Sequence, residues 1–137
     1  MAKINYHLFI YLVLCFPEFS AAAKSVIIEK YAWTNRLVIL VTDKKDTSLE
    51  RQVKGFFENH ACDINDRNLK LLHFHTDKIA VNHLPRTIRS KTGIWLLGYD
   101  GSIKDFSENG QLLERLFQTI DSMPMRQNEM SPEPACG

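Results

Sequence analysis

Leu37-Val38-Ile39-Leu40-Val41 is an unbroken aliphatic run. A strand built from it has no polar face to turn to water, so it belongs in a sheet covered on both sides, as in α/β folds. The polar stretch Asp43-Lys44-Lys45-Asp46 follows as a loop. Thr47-x-x-Glu50 then reads as a capping box, worth about 1 kcal/mol at a helix start. Leu49, Val53, Phe56, Phe57 and Ala61 fall at helical spacing on one face, with Gly55 a weak point in that helix.

A second strand is expected over Leu69 to His75. Leu69, Leu71, His73 and His75 share one face, and Lys70, Leu72 and Phe74 the other. Pro85 suits the first position of a short helix ending near Ser90. Ile94 to Tyr99 reads as a third strand. Asp100-Gly101 marks a two-residue hairpin turn, and Ser102 to Phe106 returns as a fourth strand. Leu112, Leu113, Leu116, Phe117, Ile120 and Met123 form the stripe of a last helix that Pro124 stops. The order is β-α-β, a short helix, then β-β-α. With a right-handed parallel crossover, it gives a mixed four-stranded sheet flanked by helices, the core of the thioredoxin-like fold.

Ahead of this domain, residues 1–23 carry the marks of a cleavable signal peptide. Lys3 precedes an apolar run from Leu8 to Phe16, and Ala21-x-Ala23 is a small-x-small cleavage site. The run has 9 residues, whereas a bilayer-spanning helix takes about 18 or more. No stable membrane span is expected after cleavage. A buried N-terminal segment and lipidation at Cys15 are the alternatives, although Leu14 is large for a residue preceding a lipidated cysteine. Removing residues 1–23 from the 137 leaves about 114, a single domain able to fold without metal or disulfide staples. The formal net charge of +1 and interspersed signs offer no basic run for nucleic acid. The densest cluster, Arg86 to Lys91, suits a solvated helix face.

Four motifs resemble one family. They are Tyr31-x-Trp33-x-Asn35-Arg36; Asn65-Asp66-Arg67-Asn68-Leu69; Leu96-Leu97-Gly98-Tyr99-Asp100-Gly101; and Ile120-Asp121-Ser122-Met123-Pro124-Met125-Arg126-Gln127-x-Glu129-Met130. Together they resemble a peroxiredoxin-like domain-of-unknown-function family, found in bacterial exported proteins and in sushi-repeat and equarin-type extracellular proteins. The resemblance covers about residues 28–130. It implies a thioredoxin-like fold and an extracytoplasmic place, periplasmic in a Gram-negative bacterium and secreted otherwise. It implies no particular reaction.

Thioredoxins and peroxiredoxins keep a nucleophilic cysteine at the start of the first helix, where the helix dipole lowers its pKa. Residues 42–49 contain no cysteine, and the chain has no Cys-x-x-Cys pair. Lys91-Thr92-Gly93 stands where the facing cis-proline is expected. The usual chemistry of the fold therefore has neither half of its machinery, and no catalytic residue, cofactor or metal is assigned. Cys62 and Cys136 can pair in an oxidising compartment, although Cys136 sits in a tail, residues 131–137, whose composition reads as disordered. His73 and His75, with His60 or His83 approaching, could share an ion, but a tight site takes three or four fixed ligands. Strand histidines among leucines are more often core or edge residues. Asp43, Lys44, Lys45 and Asp46 lie on the rim where this fold usually works, and can hold an anion beside the helix N-terminus. A solvated loop is the plainer reading. Trp33 and Tyr31 suit either a recognition surface or closure of the core. Arg36 reads as a strand-edge cation and Arg67 as a turn residue, either able to pair with an acid. Met123, Met125 and Met130 carry no assigned role. The expected function is that of an exported non-redox module binding a protein or small anionic ligand. The alternative is an atypical peroxidase or thiol oxidoreductase using Cys62, resolved by Cys136.

Overall fold

The computed structural model describes residues 25–136; the leader read at residues 1–23 and the site at Cys15 lie outside them. The elements run α1 (Val26–Tyr31), β1 (Arg36–Thr42), α2 (Thr47–Asn59), α3 (Ala61–Asp66), β2 (Leu69–His75), a 3-10 helix (Ile79–His83), α4 (Arg86–Arg89), β3 (Gly93–Leu97), β4 (Ile103–Ser107), α5 (Gln111–Asp121) and α6 (Pro124–Glu129). The strands form one sheet in the order β2-β1-β3-β4. β1 and β2 are parallel, with Arg36 opposite Leu69 and Thr42 opposite His75. β3 runs antiparallel to both β1 and β4. The sheet is thus mixed and four-stranded, with helices on both faces.

Every residue of β1 is buried, as its aliphatic run requires of a central strand. Alternation along the strands divides the core in two. Val38, Leu40, Leu69, Ile94 and Leu96 pack under α2 and α5, against Leu49, Val53, Leu112, Leu116 and Ile120. Leu37, Ile39, Val41, Phe74, Trp95 and Leu97 pack on the other face, against Ile28, Val81, Leu84 and Ile88. The layers are those of a small α/β domain.

Three local expectations need correction. The N-cap of α2 is Asp46, whose side chain accepts from Leu49 N at 3.1 Å. Thr47 is already helical, so the capping box does not form. The helix also ends before Ala61. His60, at φ −116°, separates α2 from α3, and Ala61 and Cys62 stand exposed on the second helix. The hairpin turn has three residues rather than two. Gly98 O accepts from Gly101 N at 3.0 Å and Gly98 N donates to Ser102 O at 3.0 Å, so Tyr99-Asp100-Gly101 is the loop. Gly101 supplies the left-handed φ of 76° that ends it,. Asp100 then takes the N–H of Ser102 at 3.0 Å, which steadies the turn.

α1 and α6 lie outside the periodic segments. α6 begins on Pro124 in the first turn, where the missing N–H costs nothing,. The proline that stops α5 therefore starts the next helix. Beyond it, residues 131–136 carry no helix or strand, and Cys136 is bonded to Cys62 with their Cα atoms 5.9 Å apart.

Candidate functional site

All four motifs meet at one end of the sheet, where β1 and β2 begin and β3 ends. Arg36 opens β1, Arg67 precedes β2, Tyr99 lies in the β3–β4 turn, and Asp121, Arg126 and Glu129 come from α5 and α6. Arg36, read as an edge cation, is only 1% exposed. Its Nη1 donates to Arg67 O and to Glu129 Oε2, each at 3.0 Å. Its guanidinium lies 4.0 Å from the centre of the Tyr99 ring, within cation–π range.

Arg67 grips Asp121 with two parallel bonds, Nε to Oδ1 at 3.0 Å and Nη2 to Oδ2 at 2.8 Å. Its Nη1 donates to both the backbone and side-chain oxygens of Asp63. Arg126 is also buried. Its Nε donates to Asp121 Oδ1 at 3.1 Å, its Nη1 to Asp66 O at 2.9 Å, and its Nη2 to Asp66 Oδ2. Three guanidiniums thus face Asp63, Asp66, Asp121 and Glu129. Burial pushes the Asp121 carboxyl up, but the N–H donors and charges of Arg67 and Arg126 outweigh it and hold Asp121 below the usual carboxylate range. Arginine suits this work because its planar fork matches a carboxylate in two bonds.

Beside the network is an apolar cleft of about 180 Å³, lined by Trp33, Arg36, Tyr99, Lys104, Met123 and Met125 among others. Trp33 does not close the core. It is 68% exposed, holds a left-handed φ of 65°, and is fixed through its N–H to Tyr99 O at 2.8 Å. Among the described residues, one buried side-chain polar atom has no hydrogen-bond partner, Nη2 of Arg36. Such an atom costs about 1–3 kcal/mol of desolvation.

The rim loop is differently disposed. Asp43 Oδ1 accepts from Lys45 N and Asp46 N, each at 2.9 Å, and Asp46 caps α2. Both acids are turned to their own backbone, while Lys44 and Lys45 stand exposed.

The histidines divide. His60 stacks on Phe56, with ring centres 4.5 Å apart, and His83 is exposed; neither joins His73 and His75. Those two do lie together, ring centres 4.3 Å apart, and Glu50 approaches from α2 with Oε1 at 3.6 Å from His73 Nδ1. The Thr42 hydroxyl lies 2.7 Å from His73 Nε2 and 3.4 Å from His75 Nδ1. Burial pulls the His73 imidazole below its ordinary range, and the Glu50 charge offsets this only in part. In the sequence, Thr47-x-x-Glu50 gives Glu50 a capping role and hides its approach to the histidines. The parallel pairing of Thr42 with His75 is the signal that could have placed them together.

Fold and network define a small mixed α/β domain whose sheet is closed at one end by interlocked arginines and acids. Residues 27–129 match the family described as domain of unknown function (DUF4174), and the chain belongs to that family. Comparison with curated proteins and with solved structures gives no match. No helix of the described residues is long and apolar enough to cross a membrane.

Proposed function

We propose that this chain is an exported, thioredoxin-like module without thiol–disulfide turnover, and that it binds a small apolar carboxylate, free or at the end of a peptide, in the Trp33–Tyr99–Met125 cleft. The unpartnered Nη2 of buried Arg36 carries this reading. Buried polar atoms in native proteins are nearly always satisfied, and an orphan calls for a partner. Nη2 is covered in the unliganded cleft, so a small side-chain shift of the Tyr99–Met123 wall would admit an acceptor oxygen to complete the set, while Trp33, Tyr99 and Met123 would cover the apolar body. The cleft, at about 180 Å³, is smaller than pockets for drug-sized ligands, which start near 300 Å³. It suits one side chain or a compact acid. We prefer it to the Asp43–Asp46 loop because the carboxylates of Asp43 and Asp46 already occupy the backbone N–H donors there that an anion would take.

The thioredoxin-like reading is supported by the strand order β2-β1-β3-β4 with one parallel pair. The start of α2 carries no cysteine, and Cys62 is bonded to Cys136. That bond supports an oxidising compartment, hence export.

The test is titration with phenylacetate and with peptides ending in Phe, each peptide with a free or an amidated C-terminus. Fluorescence of Trp33 and the Met125 methyl NMR signal report the cleft. Saturable shifts with the free carboxylates, lost in Arg36→Met, support the site. Response to the peptide alone identifies a protein terminus as the source. Equal response to acid and amide, or shifts confined to residues 43–46, would overturn it. If Arg36→Met does not fold, Trp33→Ala takes its place.

A further inference from the structure

We infer that Glu50, His73 and His75 form a binding site for a divalent transition-metal ion of the zinc type. Each residue offers one ligand atom, and the three atoms lie within 4.8 Å of one another. Ligands bound at about 2.1 Å around a tetrahedral zinc stand about 3.4 Å apart. Closing the set therefore takes side-chain rotations of about 1 Å and no backbone movement. Two imidazoles and one carboxylate are a borderline donor set, suited to zinc, copper or nickel rather than to calcium or magnesium, which take oxygen shells.

The scaffold holds these donors. His73 and His75 point from one face of β2, and the strand is fixed by its pairing with β1, in which Thr42 stands opposite His75. Thr42 is fully buried. Its hydroxyl, 2.7 Å from His73 Nε2, can accept that N–H and turn Nδ1, which lies 3.6 Å from Glu50 Oε1, toward the shared space. A hydrogen bond that fixes one ring nitrogen while the other ligates is the usual outer-shell support of a metal-bound histidine. Lys54 Nζ is 2.6 Å from Glu50 Oε1, but its side chain is 52% exposed and can swing into solvent as the ion takes over the carboxylate. The three donors are half-buried, so water or a small anion can reach the remaining coordination position. His73 and His75 stand at the carboxyl end of β2, and Glu50 in the first turn of the helix that follows β1, the side on which open α/β sheets form their ligand crevices. The cleft at Arg36 is at the opposite end, and the two sites are independent.

The experiment adds Zn²⁺ to chelator-stripped protein, with affinity read by competition against a chromophoric chelator. One ion per chain is expected. Co²⁺ in its place should give visible bands of a four- or five-coordinate nitrogen–oxygen site. Ring NMR signals of His73 and His75 should move while those of His60 and His83 stay. His75→Gln and Glu50→Gln should each weaken Zn²⁺ by about 10-fold or more, and Thr42→Val by about 10-fold. Absence of stoichiometric binding, unaltered affinity in His75→Gln, or shifts confined to His60 and His83 would overturn the site. Should the variants fail to fold, the Co²⁺ bands and ring shifts of the unmodified protein decide alone, and their absence refutes it.

Discussion

Trp33 joins two unfavourable choices, since it holds a left-handed φ of 65° and leaves a large aromatic side chain 68% exposed. A non-glycine residue in that region costs about 1–2 kcal/mol. Glycine there would relieve the strain but bring a freer unfolded chain. Trp33→Gly should therefore shift the thermal midpoint little, while weakening carboxylate binding in the cleft. A large loss of thermal stability would mean that the indole serves packing instead. Asp121 is the opposite case, a residue whose partners explain it fully. It serves Arg67 and Arg126 together, so Asp121→Asn leaves two buried guanidiniums short of charge. Complete burial would make the loss about 3–5 kcal/mol; with this carboxylate still 32% exposed, about 2 kcal/mol is expected in denaturant titrations,. Its folded-state pKa lies below the unfolded one. Its contribution is thus present above the unfolded carboxylate value of about 3.9 and is lost as pH falls through the folded value. Thermal melts at stepped pH should show wild type and Asp121→Asn converging below about pH 4. Trp33 could be read from local sequence only as one of two alternatives, surface or core, and Asp121's role not at all. Arg67 reaches Asp121 across 54 positions, and no periodic pattern encodes so remote a pairing.

Elements with a strong period were legible; of the short ones, the helix that Pro85 signals was legible too, as α4, but α1 and α6 were not. The strands and the longer helices follow from alternation or from stripes such as Leu112, Leu116 and Ile120, because burial imposes those periods on the sequence. α1 and α6 have six residues each, too few to repeat a pattern, and tertiary contacts hold them. The break at His60 is hidden for a related reason, since the apolar stripe runs past it to Ala61, and the residue that weakens the segment, Gly55, lies five positions earlier and is itself helical. Capping failed by one residue. Asp46 and Thr47 are both good caps, and the choice between them depends on how Asp43 shapes the preceding loop. Asp46→Ala should therefore cost about 1 kcal/mol, while Thr47→Ala should stay within a few tenths. Paired denaturant titrations would check this, and a reversed ranking would restore the capping box.

Across the whole molecule, the arginine network and the Cys62–Cys136 bond close the same end of the sheet by different means. The network ties the starts of β1 and β2 to α5 and α6 through named ion pairs. The disulfide, with a sequence separation of 74, encloses everything from α3 to the tail. On the chain-entropy account, such a loop is worth about 4 kcal/mol, mainly by restricting the unfolded chain. A Cys62→Ser, Cys136→Ser double variant should lose about that much stability. It should nonetheless keep its folded contacts, because α6 has independent anchors in Arg126–Asp66 and Arg36–Glu129. Hydrogen exchange distinguishes the two roles. If the bond acts on the unfolded state, the exposed tail at 131–136 gains mobility by NMR relaxation, while protection of amides in α6 and the β3–β4 turn falls only by the global loss. The carboxylate cleft then keeps its affinity, and Zn²⁺ binding at Glu50, His73 and His75 is untouched. If α6 instead exchanges freely and Arg36 loses Glu129, the disulfide is the primary brace of the cleft. In that case a reducing compartment would abolish binding there through the loss of α6, with no thiol chemistry at the site.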